Sequence, residues 1–148
     1  MLEDLCKIYE VNEEQARALD IHLNTALRAG AGSGKTRVLT KRFVRCLLEN
    51  PTLTLDNIAA ITFTRKAATE MKDRVRRELS DRISKIDNAV EKNRLSNIKM
   101  QITNSNIDTI HGFCGKILRD NFAFLGLDPD FNIMEEVDKS VLLSEIAD

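Results

Sequence analysis

The stretch that most constrains this chain is Ala29-Gly30-Ala31-Gly32-Ser33-Gly34-Lys35-Thr36. It follows a short apolar run, Thr25-Ala26-Leu27, and leads into the helical pattern Val38, Leu39, Phe43, Val44, Leu47, Leu48. A glycine-rich loop between a strand and a helix start is a phosphate cradle. Small residues let backbone N–H groups converge, and the helix N-terminus adds partial positive charge. In such a loop Lys35 reaches the β- and γ-phosphates and the Thr36 hydroxyl ligates Mg²⁺. The strict pattern G-x-x-x-x-G-K-[ST] carries glycine where this chain has Ala29. The bland alternative is a flexible Gly/Ser turn that merely precedes Lys-Thr. Glycines at 30, 32 and 34 followed by Lys-Thr, between strand-like and helix-like runs, weigh against it.

The 148 residues suit one domain with one good core, and 43% hydrophobic against 30% charged residues exclude a disordered chain. No apolar run approaches a membrane span of about 20 residues. The start, Met1-Leu2-Glu3-Asp4, lacks the basic-then-apolar layout of a secretory leader. Cys6, Cys46 and Cys114 are scattered, without C-x-x-C spacing, and are expected to be reduced, packed thiols of a cytoplasmic protein. The net charge of −1 conceals an asymmetry. Residues 65–82 carry seven Lys/Arg against four Asp/Glu, whereas 128–148 carry seven Asp/Glu against Lys139 alone. The local basic stretch keeps nucleic acid open as a partner.

Taken in order, residues 11–20 open with a capping box, Asn12 as N-cap and Gln15 three positions on. Residues 24–29 read as a first strand and 35–49 as a helix ending before Pro51, without a cation in its last turn. Residues 58–64, Ile-Ala-Ala-Ile-Thr-Phe-Thr, suit a buried parallel strand. Ala67, Ala68, Met71, Val75 and Leu79 then recur at helical spacing. Two strand-then-helix units predict an α/β fold, a parallel sheet with right-handed crossovers. Residues 81–104 keep a helical beat but are very polar and read as an inserted surface helix or hairpin. Residues 107–110 are a third strand candidate and 111–122 a third helix; an acidic helix over 136–147 closes the segment 128–148.

Two further constellations carry chemistry. Thr62-Phe63-Thr64-Arg65-Lys66 stands where a strand ends and a helix begins, the ligand side of a parallel sheet. Hydroxyls and cations there suit phosphates, and Phe63 suits a base face of single-stranded nucleic acid. The competing reading makes Phe63 core and the cations a solvated face. His111 stands at a similar junction; with His22 distant in sequence it is a phosphate or base contact, or a capped core histidine, rather than a metal ligand. Cys114 reads as a buried thiol beside Phe113. Nucleotide hydrolysis also needs an acidic pair on a neighbouring strand. The nearest candidate is Glu135-Glu136, with Glu where Asp is usual and after a short strand interrupted by Asn132; Asp108 fits no better, since it lies within its strand rather than at its end.

The segments NEEQARAL, AGAGSGKT, AAITFTRKAATEMKDRV and IDTIHGFCGKILR, in that order over residues 12–119, resemble the N-terminal region of superfamily 1 DNA helicases of the UvrD/Rep type. The AddA/RecB branch of helicase–nuclease subunits is the nearest match. That family writes its loop A-x-x-G-x-G-K-T, which turns Ala29 into a marker. The resemblance implies a RecA-like P-loop sheet flanked by helices, as part of a motor domain with an inserted helical segment. It implies that ATP binds at Gln15, Ala29, Gly30, Ala31, Gly32, Ser33, Gly34, Lys35, Thr36 and Arg37. Gln15 would read adenine, Arg37 would pack near it, Lys35 and Thr36 would serve catalysis, and Thr36 would hold Mg²⁺. Thr62, Phe63, Thr64, Arg65 and His111 would line the DNA track. Gly112 replaces the serine of the family's T-x-H-S-F segment.

Members of that family run to many hundreds of residues, and their D-E-x-x box, arginine finger and second motor domain lie beyond the matched region. The chain is therefore expected to be an N-terminal part of an ATP-dependent DNA helicase, acting in recombination or repair and alone inactive. The implied partners are single-stranded or duplex DNA and a partner helicase–nuclease subunit, with no membrane. Two other readings stand beside it. A small P-loop kinase or GTPase would need a guanine-reading N-K-x-D or an arginine-rich lid, and the sequence has neither. A non-catalytic module would dock a partner through 128–148.

Overall fold

A computed structural model describes residues 2–28, 30, 32–128, 130–132, 134, 139, 140, 143, 144 and 146. Helix α1 (Leu2–Tyr9) places Leu2, Leu5, Cys6 and Tyr9 on one face, where they pack with Val11, Ala16, Ala18, Leu19 and Val38. At eight residues this helix is too short to hold itself together, and packing stabilises it. Helix α2 (Glu13–Ala18) starts with the expected capping box: Gln15 N–H donates to Asn12 Oδ1 at 2.8 Å, and Asn12 N–H to Gln15 Oε1 at 3.4 Å. Helix α3 (Lys35–Glu49) is capped by Gly34 at its start. Its last turn lacks a cation of its own, and the cation comes from elsewhere: Arg94 donates to the Leu47 carbonyl at 2.7 Å.

Strand β1 (Ala59–Thr62) leads into α4 (Arg65–Ile83), whose N-cap Thr64 accepts from Ala67 N–H at 3.1 Å. Ala68, Met71, Val75, Leu79 and Ile83 form the buried stripe of α4. Helix α5 (Ala89–Gln101) returns along it after the N-cap Asn88, and a 3-10 turn (Ile102–Asn104) delivers the chain to β2 (Asn106–Thr109). The polar look of this return is deceptive, because Leu95, Ile98 and Ile102 join the main core with Phe43, Leu47, Met71, Val75 and Leu79. Strands β1 and β2 pair in parallel, from Ala59 opposite Asn106 to Thr62 opposite Thr109. The fold is thus mixed α/β around a small parallel sheet, two-stranded among the described residues.

The strand expected over 24–29 does not form. Residues 24–28 have no regular structure, Leu27 is 47% exposed, and Ala29 lies outside the described residues. An apolar run becomes a strand only where a neighbour offers a hydrogen-bonding ladder, and the β1–β2 sheet does not extend to this segment.

The chain divides into two units, residues 1–110 and 111–148. Helix α6 (Ile110–Asp120) follows β2 directly, and α7 (Phe122–Leu125) ends at Gly126, in left-handed backbone with φ 65°. Within the second unit, Arg119 lies over the Phe131 ring at 5.6 Å. Cys114 is exposed rather than buried, because it shares the uncovered α6 face of Ile110, Ile117 and Leu118. In the acidic segment Lys139, Ser140, Leu143, Ser144 and Ile146 are helical; residues 135–138, with Glu135 and Glu136, lie outside the described residues. No described helix is long and apolar enough to cross a membrane.

Candidate nucleotide site

The loop from Gly30 to Gly34 folds back on the start of α3. Gly32 and Gly34 have φ of 77° and 85°, a region that side chains other than glycine's adopt only at a cost. Ser33 N–H and Oγ both donate to the Gly30 carbonyl, at 3.4 and 2.8 Å. The Lys35 ammonium reaches over the loop to the same carbonyl at 2.6 Å. No side chain caps α3, so its N-terminal dipole faces the loop. Gly32 to Arg37, joined by Arg74 from α4, line an open cleft of ≈ 490 Å³. Lys35 and Thr36 are exposed there. Ala29 and Ala31 lie outside the described residues.

Gln15 serves two structures at once. Its Oε1 completes the α2 capping box, and its Nε2 donates to the Ser33 carbonyl at 3.3 Å. The same amide nitrogen would stand 3.2 Å from a Cβ placed on Gly34. The register between α2 and the loop is held from α3. Arg42 donates to the Ala18 carbonyl at 2.7 Å and Arg45 to the Leu19 carbonyl at 2.9 Å. Arg45 also pairs with Glu49, which raises the pKa of its guanidinium above the ordinary value. Arg37 reaches away from the loop and donates to the Glu10 carbonyl at 2.8 Å.

Arg74 lines the candidate cleft and is not among the residues that the sequence singles out. Its signal was faint: it is one of several cations on α4, and only the packing of α4 on α3 singles it out. Beneath it a buried network fixes that packing. Lys41 of α3 pairs with Glu78 of α4 at 3.0 Å, Glu78 pairs with Arg82 at 3.0 Å, and Arg82 lies over the Tyr9 ring at 4.3 Å. Burial pushes the Glu78 carboxyl up, but hydrogen bonds and charge from Lys41 and Arg82 outweigh it and hold its pKa below the ordinary value.

At the paired strand ends, the Thr62 hydroxyl donates to the Thr64 carbonyl at 3.1 Å and stands 3.4 Å from the Asp108 carbonyl. The Thr64 hydroxyl caps α4. Phe63 between them is 98% exposed, which removes the core reading of this aromatic. Arg65 is also exposed, in the first turn of α4. His111 is exposed in the first turn of α6, in the second unit. Among the described residues no cluster of three or more His, Cys, Asp or Glu is placed to hold a metal ion.

Comparison with known proteins bears on this site. The family model for the UvrD/REP helicase N-terminal domain matches residues 11–148. The chain is 35% identical over 137 residues to an ATP-dependent helicase/nuclease subunit of Clostridium novyi, covering 90% of this chain and 11% of that protein. It is 38% identical over 135 residues to the protein of the same name from Ruminiclostridium cellulolyticum, covering 90% and 10%. For the Pediococcus pentosaceus protein the identity is 33% over 138 residues, covering 93% and 11%. The chain therefore spans about a tenth of the length of these relatives.

Proposed function

The chain belongs to the UvrD/Rep helicase family, and from that membership we propose that it is the nucleotide-binding part of an ATP-dependent DNA helicase motor. One observation carries the reading: left-handed glycine backbone, Lys35, Thr36 and Arg74 line one cleft at the start of α3. The donor set fits a triphosphate. Backbone N–H groups and two cations suit phosphate oxygens, and a threonine hydroxyl at the helix start suits Mg²⁺. When bound, Mg²⁺ would neutralise charge developing on the phosphates. Lys35 and Arg74 would hold the phosphates, Gln15 and Arg37 would flank the nucleoside, and the backbone of Gly32, Ser33 and Gly34 would lie against the phosphates.

The parallel β1–β2 pair and its crossover support a partial RecA-like sheet. The exposed Phe63, between the Thr62 and Thr64 backbones and beside Arg65, is a stacking platform for a base of single-stranded DNA. His111, exposed in the second unit, is a separate nucleic-acid contact that the family resemblance implies. The relatives are helicase/nuclease subunits by name, which supports duplex unwinding in recombination or repair, pairing with a second subunit, and a cytoplasmic setting. The small-kinase and GTPase readings fall with family membership.

Calorimetric titration of the chain with Mg-ATP and Mg-GTP tests the proposal. ATP should bind in preference to GTP, and Lys35→Ala should weaken ATP at least about tenfold by removing a charge-assisted phosphate contact. Unchanged affinity in Lys35→Ala would sink the phosphate-cradle reading. Phe63→Ala should weaken a single-stranded oligonucleotide by about 1–3 kcal/mol, the usual worth of one stacked base.

A further inference from the structure

Among the described residues, Glu10 is the single residue other than glycine with left-handed backbone, at φ 50°. It follows α1, and the next N–H, that of Val11, donates to the Cys6 carbonyl at 3.1 Å. That is the closing turn of a helix, at the position where glycine is the ordinary choice. A glutamate there carries strain that glycine would not. What the strained turn achieves is visible across the cleft: it aims the Glu10 carbonyl at Arg37 Nη2, 2.8 Å away. The Glu10 carboxylate stands farther off, 4.0 Å from the same nitrogen. Arg37 in turn lines two adjoining clefts. One is the phosphate-loop cleft; the other, of ≈ 450 Å³, is lined by Glu10, Lys41, Arg74, Arg77 and Asp81 among others.

We propose that Glu10 is a positioning residue for nucleotide binding: its left-handed carbonyl sets the Arg37 guanidinium at the junction of the two clefts, against the nucleoside of a nucleotide whose phosphates lie in the loop. This rests on the nucleotide-binding reading above. The role belongs to the backbone, not the carboxylate, and the two are separable by substitution. Glu10→Gly keeps the turn and removes the carboxylate. Glu10→Val sets a β-branched residue where φ is positive, so it drives the carbonyl out of place.

The test is calorimetric titration of the 148-residue chain with Mg-ATP and, as a probe without a nucleoside, Mg-tripolyphosphate. Glu10→Gly should bind both within about twofold of the unmutated chain, and Glu10→Val should lose about tenfold for ATP alone, the scale of one charge-assisted hydrogen bond. Arg37→Ala should reproduce that selective loss, and Glu10→Val combined with Arg37→Ala should be no weaker than Arg37→Ala. A merely structural role would weaken both probes together. The inference is overturned by full ATP affinity in Glu10→Val, by equal loss of both probes, or by a loss in Glu10→Gly matching that in Glu10→Val. Should Glu10→Val fail to fold, Arg37→Ala decides alone: an unchanged ratio of ATP to tripolyphosphate affinity overturns the inference. Lys35→Ala should lose both probes and separates the two readings. If the unmutated chain binds neither probe, the nucleotide reading falls and takes this inference with it. Binding lost in Lys35→Ala but intact in Glu10→Val removes this inference alone.

Discussion

Gly34 and Gln15 meet at the glycine-rich loop. A Cβ on Gly34 would stand 3.2 Å from Gln15 Nε2, and φ there is 85°. Gly34→Ala is therefore expected to cost about 1–2 kcal/mol in left-handed strain, seen as a lower thermal midpoint, and to displace the Gln15 amide from the Ser33 carbonyl. Gln15 itself separates two functions within one side chain. Gln15→Glu keeps the acceptor that completes the α2 capping box but removes the donor to Ser33. Denaturant unfolding should show stability within about 0.5 kcal/mol of the unmutated chain. The ratio of ATP to GTP affinity should nonetheless fall; an unchanged ratio would argue that Gln15 is a cap alone.

The cleft depends on α3 and α4 keeping their spacing, and Lys41–Glu78–Arg82 is the polar device that holds it. The side chains of Lys41 and Glu78 are only 8% and 16% exposed, so removing one partner leaves the other poorly solvated. Lys41→Met should destabilise the chain by about 3 kcal/mol near neutral pH, measured by urea unfolding. The pH dependence has a definite sign. Glu78 has a folded pKa below its ordinary value of 4.5, so its contribution is complete above that value and is lost as pH falls through the folded pKa. The gap between the unmutated chain and Lys41→Met should accordingly narrow in acid. A constant gap would show that the network is packing rather than charge. Helix α5 contributes at the same scale, since Arg94 closes the α3 C-terminus from a distant part of the chain.

In the chain as a whole, the first unit, with a sheet two-stranded among the described residues, carries exposed apolar side chains. Ile61 on β1 is 42% exposed, and Leu23 and Leu27 in the irregular segment before the glycine-rich loop are 61% and 47% exposed. Open strand edges and apolar faces of this kind template association. Sedimentation equilibrium should show mass rising with concentration, and Ile61→Lys should reduce it. A concentration-independent monomer would show that these surfaces are tolerated in water.

Much of the site was legible because its signals are local. Three glycines before Lys-Thr, the Asn12–Gln15 box and the apolar stripe of α4 each act within a few residues of themselves, so the linear order states them directly. The family resemblance is carried by the same local motifs. The four-residue strands β1 and β2 were legible as apolar β-branched runs, although their parallel register emerges only on pairing. What the tertiary structure alone decided are matters of who lies beside whom. Residues 24–28 look like a strand yet have no ladder to join, and α1 is helical only against Val38 and Leu19. Phe63 is exposed where its run reads as core, Arg74 is chosen from several cations by helix packing, and the Glu10 turn meets Arg37 across 27 residues of chain. Backbone propensity is a property of neighbours in sequence. Burial, pairing and the meeting of charges are properties of neighbours in space, and only the folded chain assigns them.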